Sequence, residues 1–168
     1  QLLEFARPVA MKLKPASLKI LIQHSLRMVE SQARENNIRI NANLSTDIKD
    51  FPIDQDRISQ VLLNLYLNAI EAMEDGGALS VSLSENKDSE EIKIVISDTG
   101  KGIDKKDLDH IFDPYFTTKQ SGTGLGLAIV HKIISSHRGE VKVSSEPDRG
   151  TIVTIYLPLL DEIDILSQ

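Results

Sequence analysis

Apolar residues recur along the chain with two periods, and the switches between them mark out its elements. Residues 1–6 read as the end of a helix, stopped at Arg7-Pro8 because the residue before a proline avoids the α region. Residues 9–15 alternate apolar and basic side chains and read as a linker passing into a first strand. Over residues 16–36, Leu18, Leu21, Ile22, Ser25, Leu26 and Val29 fall at helical spacing, with Ser17 placed to cap the first turn. Residues 37–44 alternate Ile38, Ile40, Ala42 and Leu44 against polar partners, the period of a half-buried strand. Residues 45–52 read as loop. A long helix is expected over residues 54–73, ended by the glycines of Glu74-Asp75-Gly76-Gly77. Residues 78–84 and 91–97 read as two strands joined by the polar stretch 85–90 into a hairpin. A short helix capped at Asp104 should cover 104–110, and a longer one 125–137, with Leu125, Ala128, Ile129 and Ile133 on one face. Residues 140–145 and 151–157 alternate as strands around Pro147-Asp148-Arg149-Gly150. The acidic stretch 161–168 reads as a frayed tail.

The helix over 54–73 has an unusual wheel. Arg57, Gln60, Asn64, Asn68 and Glu71 fall within about 80° of one another at 100° per residue, and nearly everything else on it is apolar. Such a helix is buried on most sides and keeps one polar stripe. The stripe is either a solvated face or a binding face. Solvated faces usually carry Lys and Glu, whereas Asn is a poor helix former with an amide suited to binding. Asn64 and Asn68 sit one turn apart, so both carbonyl oxygens can point at one ion or its waters.

Composition narrows the classes. A chain of 168 residues, 40% hydrophobic and 26% charged, suits one soluble globular domain. Aromatics make up only 4%, so Leu, Ile and Val must build the core. Absence of Cys rules out disulfides, thiolate metal sites and a Cys nucleophile. A net charge of −6 argues against a nucleic-acid partner, but not against a nucleotide whose phosphates meet Mg²⁺ and backbone amides. No apolar run is long enough for a membrane helix. The chain starts inside a helical pattern without Met and is expected to continue upstream.

Two glycine clusters carry the candidate chemistry. Asp98-Thr99-Gly100-Lys101-Gly102-Ile103 follows the apolar run of the second hairpin strand, placing a carboxylate where it could accept from a ligand amino group. Gly122-Thr123-Gly124-Leu125-Gly126-Leu127 opens a helix, where unpaired N–H groups and the positive dipole end favour an anion such as phosphate. Taken singly, Asp-x-Gly is a common turn and Gly-x-Gly-x-Gly turns often bind nothing. Their order along the chain says more. Paired asparagines on a buried helix, Asp-x-Gly-x-Gly after a strand, the segment Phe112-Asp113-Pro114-Tyr115-Phe116-Thr117-Thr118-Lys119, and Gly-x-Gly-x-Gly opening a helix follow in sequence.

In that order, over residues 15–160, the chain resembles the ATP-binding catalytic domain of bacterial two-component sensor histidine kinases. Residues 60–69 look like the N box of that family, 98–103 like its G1 box, 111–116 like its F box and 122–127 like its G2 box. The Pro-Tyr-Phe-Thr-Thr-Lys wording is most similar to the kinases paired with nitrogen-regulator-type response regulators. The resemblance implies a two-layer α/β (α+β) sandwich of the Bergerat type, with a mixed sheet of about five strands backed by three helices. ATP would sit under a mobile lid spanning roughly 113–123. Asn68, and more loosely Asn64, would hold Mg²⁺; Asp98 would accept the adenine amino group, with Gly100 and Gly102 leaving room for the base and Ile103 beside it. The turn Gly122, Thr123, Gly124, Leu125, Gly126 and Leu127 would hold the β and γ phosphates. Phe116, Thr117 and Lys119 would line the lid, and Thr151 would touch the site from the last hairpin. Catalytic places fall to Lys119, reaching the γ-phosphate, and to Asn64.

The pattern also departs from the family. Many members carry a basic residue three positions after the second N-box asparagine, where this chain has Glu71; Glu71 is still expected to line the nucleotide site, without a cationic contact to phosphate. None of His24, His110, His131 and His137 has the setting of a phosphate acceptor. They read as structural or exposed, with His137 suited as an imidazolium to a helix terminus. The acceptor would lie upstream, with residues 1–14 the end of the dimerisation and phosphoacceptor helix plus linker. The expected partners are therefore ATP, that upstream domain and a response-regulator receiver domain. The full protein would be a homodimer, this stretch alone a monomer, located in the cytoplasm or as the cytoplasmic part of a membrane-anchored sensor. Two readings compete on the same fold. A nucleotide-gated switch of the chaperone or gyrase type would hydrolyse ATP, but needs a general-base Glu where Asn64 stands. The other is an anti-sigma-type serine kinase.

Overall fold

A computed structural model describes residues 10–120 and 122–160. The expected helix end at residues 1–6 and the tail at 161–168 lie outside the described residues. The described part is a two-layer α/β sandwich. Its sheet has five strands in the order β2-β4-β5-β7-β6: β2 (Ile38–Leu44), β4 (Gly77–Asn86), β5 (Glu91–Asp98), β6 (Glu140–Glu146) and β7 (Gly150–Pro158). β2 runs parallel to β4 and the other pairs are antiparallel, so the sheet is mixed. A parallel pair needs a long crossover, and the helix α2 (Gln55–Glu71) supplies it. Three helices cover one face: α1 (Leu18–Glu35), α2, and α4 (Gly126–Ser136). A single turn, α3 (Lys105–Leu108), lies between α2 and α4 in sequence.

Alternation along the strands decides which side chains meet the helices. Ile92, Ile94 and Ile96 of β5 are buried, as are Val153, Ile155 and Leu157 of β7. Asp98 has the parity of the first row and Thr151 that of the second, so both lie on the helix side at one end of the sheet. α2 sits at the centre, packed on α1, on α4 and on the sheet. Val61, Leu62, Leu65, Tyr66 and Ile70 are buried while Asn64 and Asn68 are half-buried, which leaves the asparagine stripe at the boundary of the core. Tyr66 lies wholly inside, its hydroxyl near Ser25 of α1, and burial pushes its phenol up to about 12.

Several expectations need correction. Residues 51–53 are a strand, β3 (Phe51–Ile53), paired antiparallel with β1 (Lys14–Ala16). Pro15 faces Pro52, and prolines donate nothing to a ladder, so this short pair carries neither period nor the usual strand composition. The glycines do not stop α2, which ends at Glu71 with Ala72 as its cap. Gly76, at φ +86°, instead turns the chain into β4, where a Cβ would meet the Asn37 carbonyl at 2.7 Å. Ser17 caps α1 by accepting from the Ile20 amide at 3.3 Å, but the Asp104 side chain makes no capping bond on α3.

His137 also differs from its expected role. It is buried at the end of α4, where Nε2 accepts from the Asp54 amide at 3.1 Å and Nδ1 faces the Ile133 carbonyl at 2.9 Å. Accepting at Nε2 places the proton on Nδ1, so the imidazole is neutral. Asp54 is buried too; its carboxylate accepts from the amides of Arg57, in the first turn of α2, and Lys12, just before β1. Burial pushes the His137 pKa down, outweighing the Ile133 hydrogen bond and the nearby Asp54 charge. In the unfolded chain this histidine takes up a proton near its ordinary pKa, while the folded chain refuses it until the pH is lower. Folding is therefore weakened as the pH falls below about 6.5. The thermal midpoint should drop more steeply between pH 7.5 and 5.5 in the native chain than in His137→Gln; equal slopes would contradict this role.

Candidate functional site

The candidate residues gather at the end of the sheet where β5 stops and α4 begins. Asp98 closes the buried β5 row and is half-buried. Its Oδ1 accepts from the Gly100 amide at 2.8 Å. Burial raises its pKa, and the backbone amides of Gly100 and Thr151 pull it back. Beside it Thr151 Oγ1 lies 2.8 Å from Ser145 Oγ, whose hydroxyl is also 2.9 Å from the Gly150 carbonyl and accepts from the Ile103 amide at 2.8 Å. Ser145 thus ties the G1-like loop to the last hairpin. It was not singled out from the sequence; only the pairing of Ser145 with Thr151 across β6 and β7 reveals it.

The glycines of the first loop are packed against the protein's own backbone. A Cβ on Gly100 would lie 2.4 Å from the Ala72 carbonyl oxygen, and one on Gly102 2.0 Å from that of Glu146. Gly102 also has φ +68°. Their lack of a side chain is therefore demanded by the protein's own backbone: it lets the loop press against the end of α2 and the β6–β7 turn. The Lys101 amide donates to Ala72 O at 3.0 Å, and the Asp148 amide to Lys101 O at 2.7 Å. The loop is thereby fixed beside Asp98.

The second cluster divides in the same way. A Cβ on Gly122 would meet Thr117 Oγ1 at 2.5 Å, and one on Gly124, at φ +70°, the Tyr115 carbonyl carbon at 2.2 Å. These two fold the turn onto the segment before it. Gly126 is different: outside its own helix, the nearest atom to its Cβ position is Asn64 Nδ2 at 4.0 Å, an ordinary van der Waals contact on the side of the α2 stripe. Leu125 stands at the N-cap of α4 and no side chain caps that helix. An open, uncapped helix N-terminus beside a polar stripe is a cradle for phosphate. Thr123 Oγ1 accepts from the Leu125 amide at 3.4 Å, and half-buried Leu127 lies in the first turn.

The two asparagines take different partners. Asn64 Nδ2 donates to the Gly126 carbonyl at 3.4 Å, joining α2 to the first turn of α4. Asn68 Oδ1 accepts from Lys119 Nζ at 2.9 Å, and the same ammonium is paired with Glu71. Lys119, 48 residues beyond the end of α2 in sequence, thus lies on the polar stripe. Phe116 stays within its own segment, its ring centroid 6.0 Å from that of His110, and Thr117 Oγ1 accepts from the Lys119 amide at 3.0 Å.

The donor set fits a Mg²⁺-nucleotide. A cation already stands on the Asn68 amide oxygen, a hard ligand of the kind Mg²⁺ takes. Among the described residues no three His, Cys, Asp or Glu cluster as metal ligands. A metal held here would therefore draw most of its oxygens from phosphate and water. No helix of the described residues is long and apolar enough to cross a membrane.

Known proteins share this fold and much of this sequence. Residues 53–161, well over half of the chain, match the family described as histidine kinase-, DNA gyrase B- and HSP90-like ATPases. Sensor histidine kinase ZraS of Escherichia coli K12 is 43% identical over 159 residues, covering 95% of this chain and 34% of the relative. The chain thus spans about a third of the length of such curated relatives. Full-length ShkA solved in complex with AMPPNP superposes with a TM-score of 0.83 at 26% identity, over 94% of this chain and 34% of that one. Histidine kinase ThkA in complex with the response regulator protein TrrA gives 0.81 at 26% identity, over 95% and 45%. The fold is that of histidine kinase catalytic domains, and the chain belongs to the histidine kinase-, DNA gyrase B- and HSP90-like ATPase family.

Proposed function

We propose that this chain is the catalytic domain of a sensor histidine kinase, binding Mg²⁺-ATP and delivering its γ-phosphate to a histidine of an upstream helical domain for relay to a response-regulator aspartate. Residues 15–160 form the nucleotide-binding domain. The observation that carries the reading is the meeting of Lys119 with Asn68 on the stripe of α2, beside the open N-terminus of α4 and Asp98. The complex of full-length ShkA with AMPPNP supports a nucleotide as ligand, and the ThkA–TrrA complex supports a response regulator as partner.

Each residue then has a task. Asp98 accepts the adenine amino group, with Gly100, Gly102, Ile103 and Thr151 fixing its surroundings. The amides of the turn from Gly122 to Leu127 hold the β and γ phosphates. Asn68, and more loosely Asn64, would hold Mg²⁺, which supplies charge neutralisation at the phosphates when bound. Lys119 brings its ammonium to the γ-phosphate as charge develops there, with Phe116 and Thr117 setting the path of its segment. Glu71, next to Asn68 on α2, borders the same site. Hydrolysis to water is disfavoured, because Asn64 donates to a backbone carbonyl and takes no proton at neutral pH.

Incubation with its own helical domain, ATP and Mg²⁺ should yield an acid-labile, alkali-stable phosphohistidine. Lys119→Met should slow its formation about 100-fold, an electrostatic contribution of the size typical for one charge on a transferring phosphoryl group. Release of inorganic phosphate without phosphohistidine would contradict the kinase reading and favour the ATPase one.

A further inference from the structure

Glu71 is the feature of the site that the nucleotide reading leaves without a chemical task. It stands where a basic residue would help bind phosphate, and a carboxylate there repels phosphate instead. Its partner in the structure is Lys119, and that ammonium also meets Asn68 Oδ1 at 2.9 Å. Asn68 and Glu71 are three residues apart on α2, so their side chains converge on one point of its surface. The lysine arrives from 48 residues further along the chain. An ammonium has three donors, and two are satisfied by these two oxygens. It therefore occupies the position in which a metal ion would be ligated by Asn68.

We propose that Glu71 is a positioning residue that seats Lys119 on Asn68, so that the ammonium and Mg²⁺ are alternative occupants of the same amide oxygen. The inference rests on the reading of this stripe as a Mg²⁺-nucleotide site. One cation on Asn68 excludes the other by charge and by volume. With Mg²⁺ and nucleotide held at Asn68, Lys119 would leave that oxygen and turn toward the phosphates, and Glu71 would keep it from drifting into solvent. Both side chains of the ion pair are partly exposed, at 36% and 49%, so the seat is weak and readily displaced. A weak seat suits a lysine that must leave it in every turnover.

The inference has a sign that a plain metal-attracting carboxylate does not share. Binding of a non-hydrolysable ATP analogue is titrated calorimetrically at graded Mg²⁺ concentrations, on the native chain, Glu71→Gln and Lys119→Gln. Removing the seat should lower the half-saturating Mg²⁺ concentration in Glu71→Gln by about three- to five-fold, the range expected of an exposed ion pair. Lys119→Gln should show the same fall when ADP, which has no γ-phosphate to lose contact with, is the probe. Without metal or nucleotide, tryptic cleavage after Lys119 should be faster in Glu71→Gln than in the native chain, because the side chain that trypsin reads is no longer held. An unchanged or raised Mg²⁺ requirement in Glu71→Gln, or an unchanged cleavage rate, would overturn the inference while leaving the nucleotide site standing. Failure of the native chain to bind the analogue at any Mg²⁺ concentration would overturn the underlying reading instead.

Discussion

Asp98→Asn is expected to weaken binding of a non-hydrolysable ATP analogue about 100-fold while leaving the fold intact, measured by calorimetric titration beside thermal unfolding. The carboxylate already serves the backbone amides of Gly100 and Thr151, and the adenine amino group would be a further donor. Two oxygens can accept from all of them. An asparagine carries a donor on one side of its amide, so whichever way it turns, one of these N–H groups faces another N–H. Loss of a charge-assisted acceptor, plus a buried donor left unpaired, is worth about 2–3 kcal/mol, or roughly 30- to 150-fold. Stability should not fall with it. Burial raises the Asp98 pKa, so at neutral pH the charged form is held at a cost to folding that the neutral amide avoids. A variant that kept full affinity would remove adenine from this carboxylate.

The second large effect separates two kinds of glycine. Gly102→Ala places a Cβ 2.0 Å from the Glu146 carbonyl oxygen at φ +68°, and backbone on both sides leaves little room for adjustment. Strain and separation of the loop from the β6–β7 turn should destabilise the chain by about 2–4 kcal/mol, lowering the thermal midpoint by roughly 5–15 °C. Gly126→Ala should behave in the opposite way. Outside its own helix its Cβ meets no atom closer than 4.0 Å, and alanine suits a helix, so stability should hold or rise. The methyl group would instead stand between the first turn of α4 and Asn64, and nucleotide affinity should fall by at least about 10-fold, a loss of one good phosphate–amide contact. Equal stability of the two variants would show that the close packing at Gly102 is not what requires a glycine there.

Much of this was legible in the residues. The β5 row Ile92, Ile94, Ile96 has a fixed parity, and that parity carries Asp98 to the helix side. The wheel of α2 put Asn64, Asn68 and Glu71 on one stripe, and the structure places that stripe at the edge of the core. What escaped the sequence depends on distant partners. β3 was hidden because Pro52 breaks its pattern and its only pairing is with residues 14–16. His137 could be placed at a helix terminus but not protonated correctly, since the amide that fixes its tautomer belongs to Asp54, 83 residues away. Gly100 and Gly102 were visible as necessary, yet the backbone that makes them so comes from Ala72 and Glu146. The meeting of Lys119 with Glu71 likewise joins two charges that appear unrelated in sequence.

The central claim is that one nucleotide spans Asp98, the stripe of α2 and the N-terminus of α4. Backbone and side-chain amide resonances followed through a titration with AMPPNP and Mg²⁺ test it most directly. The account predicts that the amides of Gly100, Gly124, Leu125 and Gly126 and the side-chain amide of Asn68 shift together in one saturable transition. Shifts confined to one of these places, or saturation with none of them moving, would contradict it.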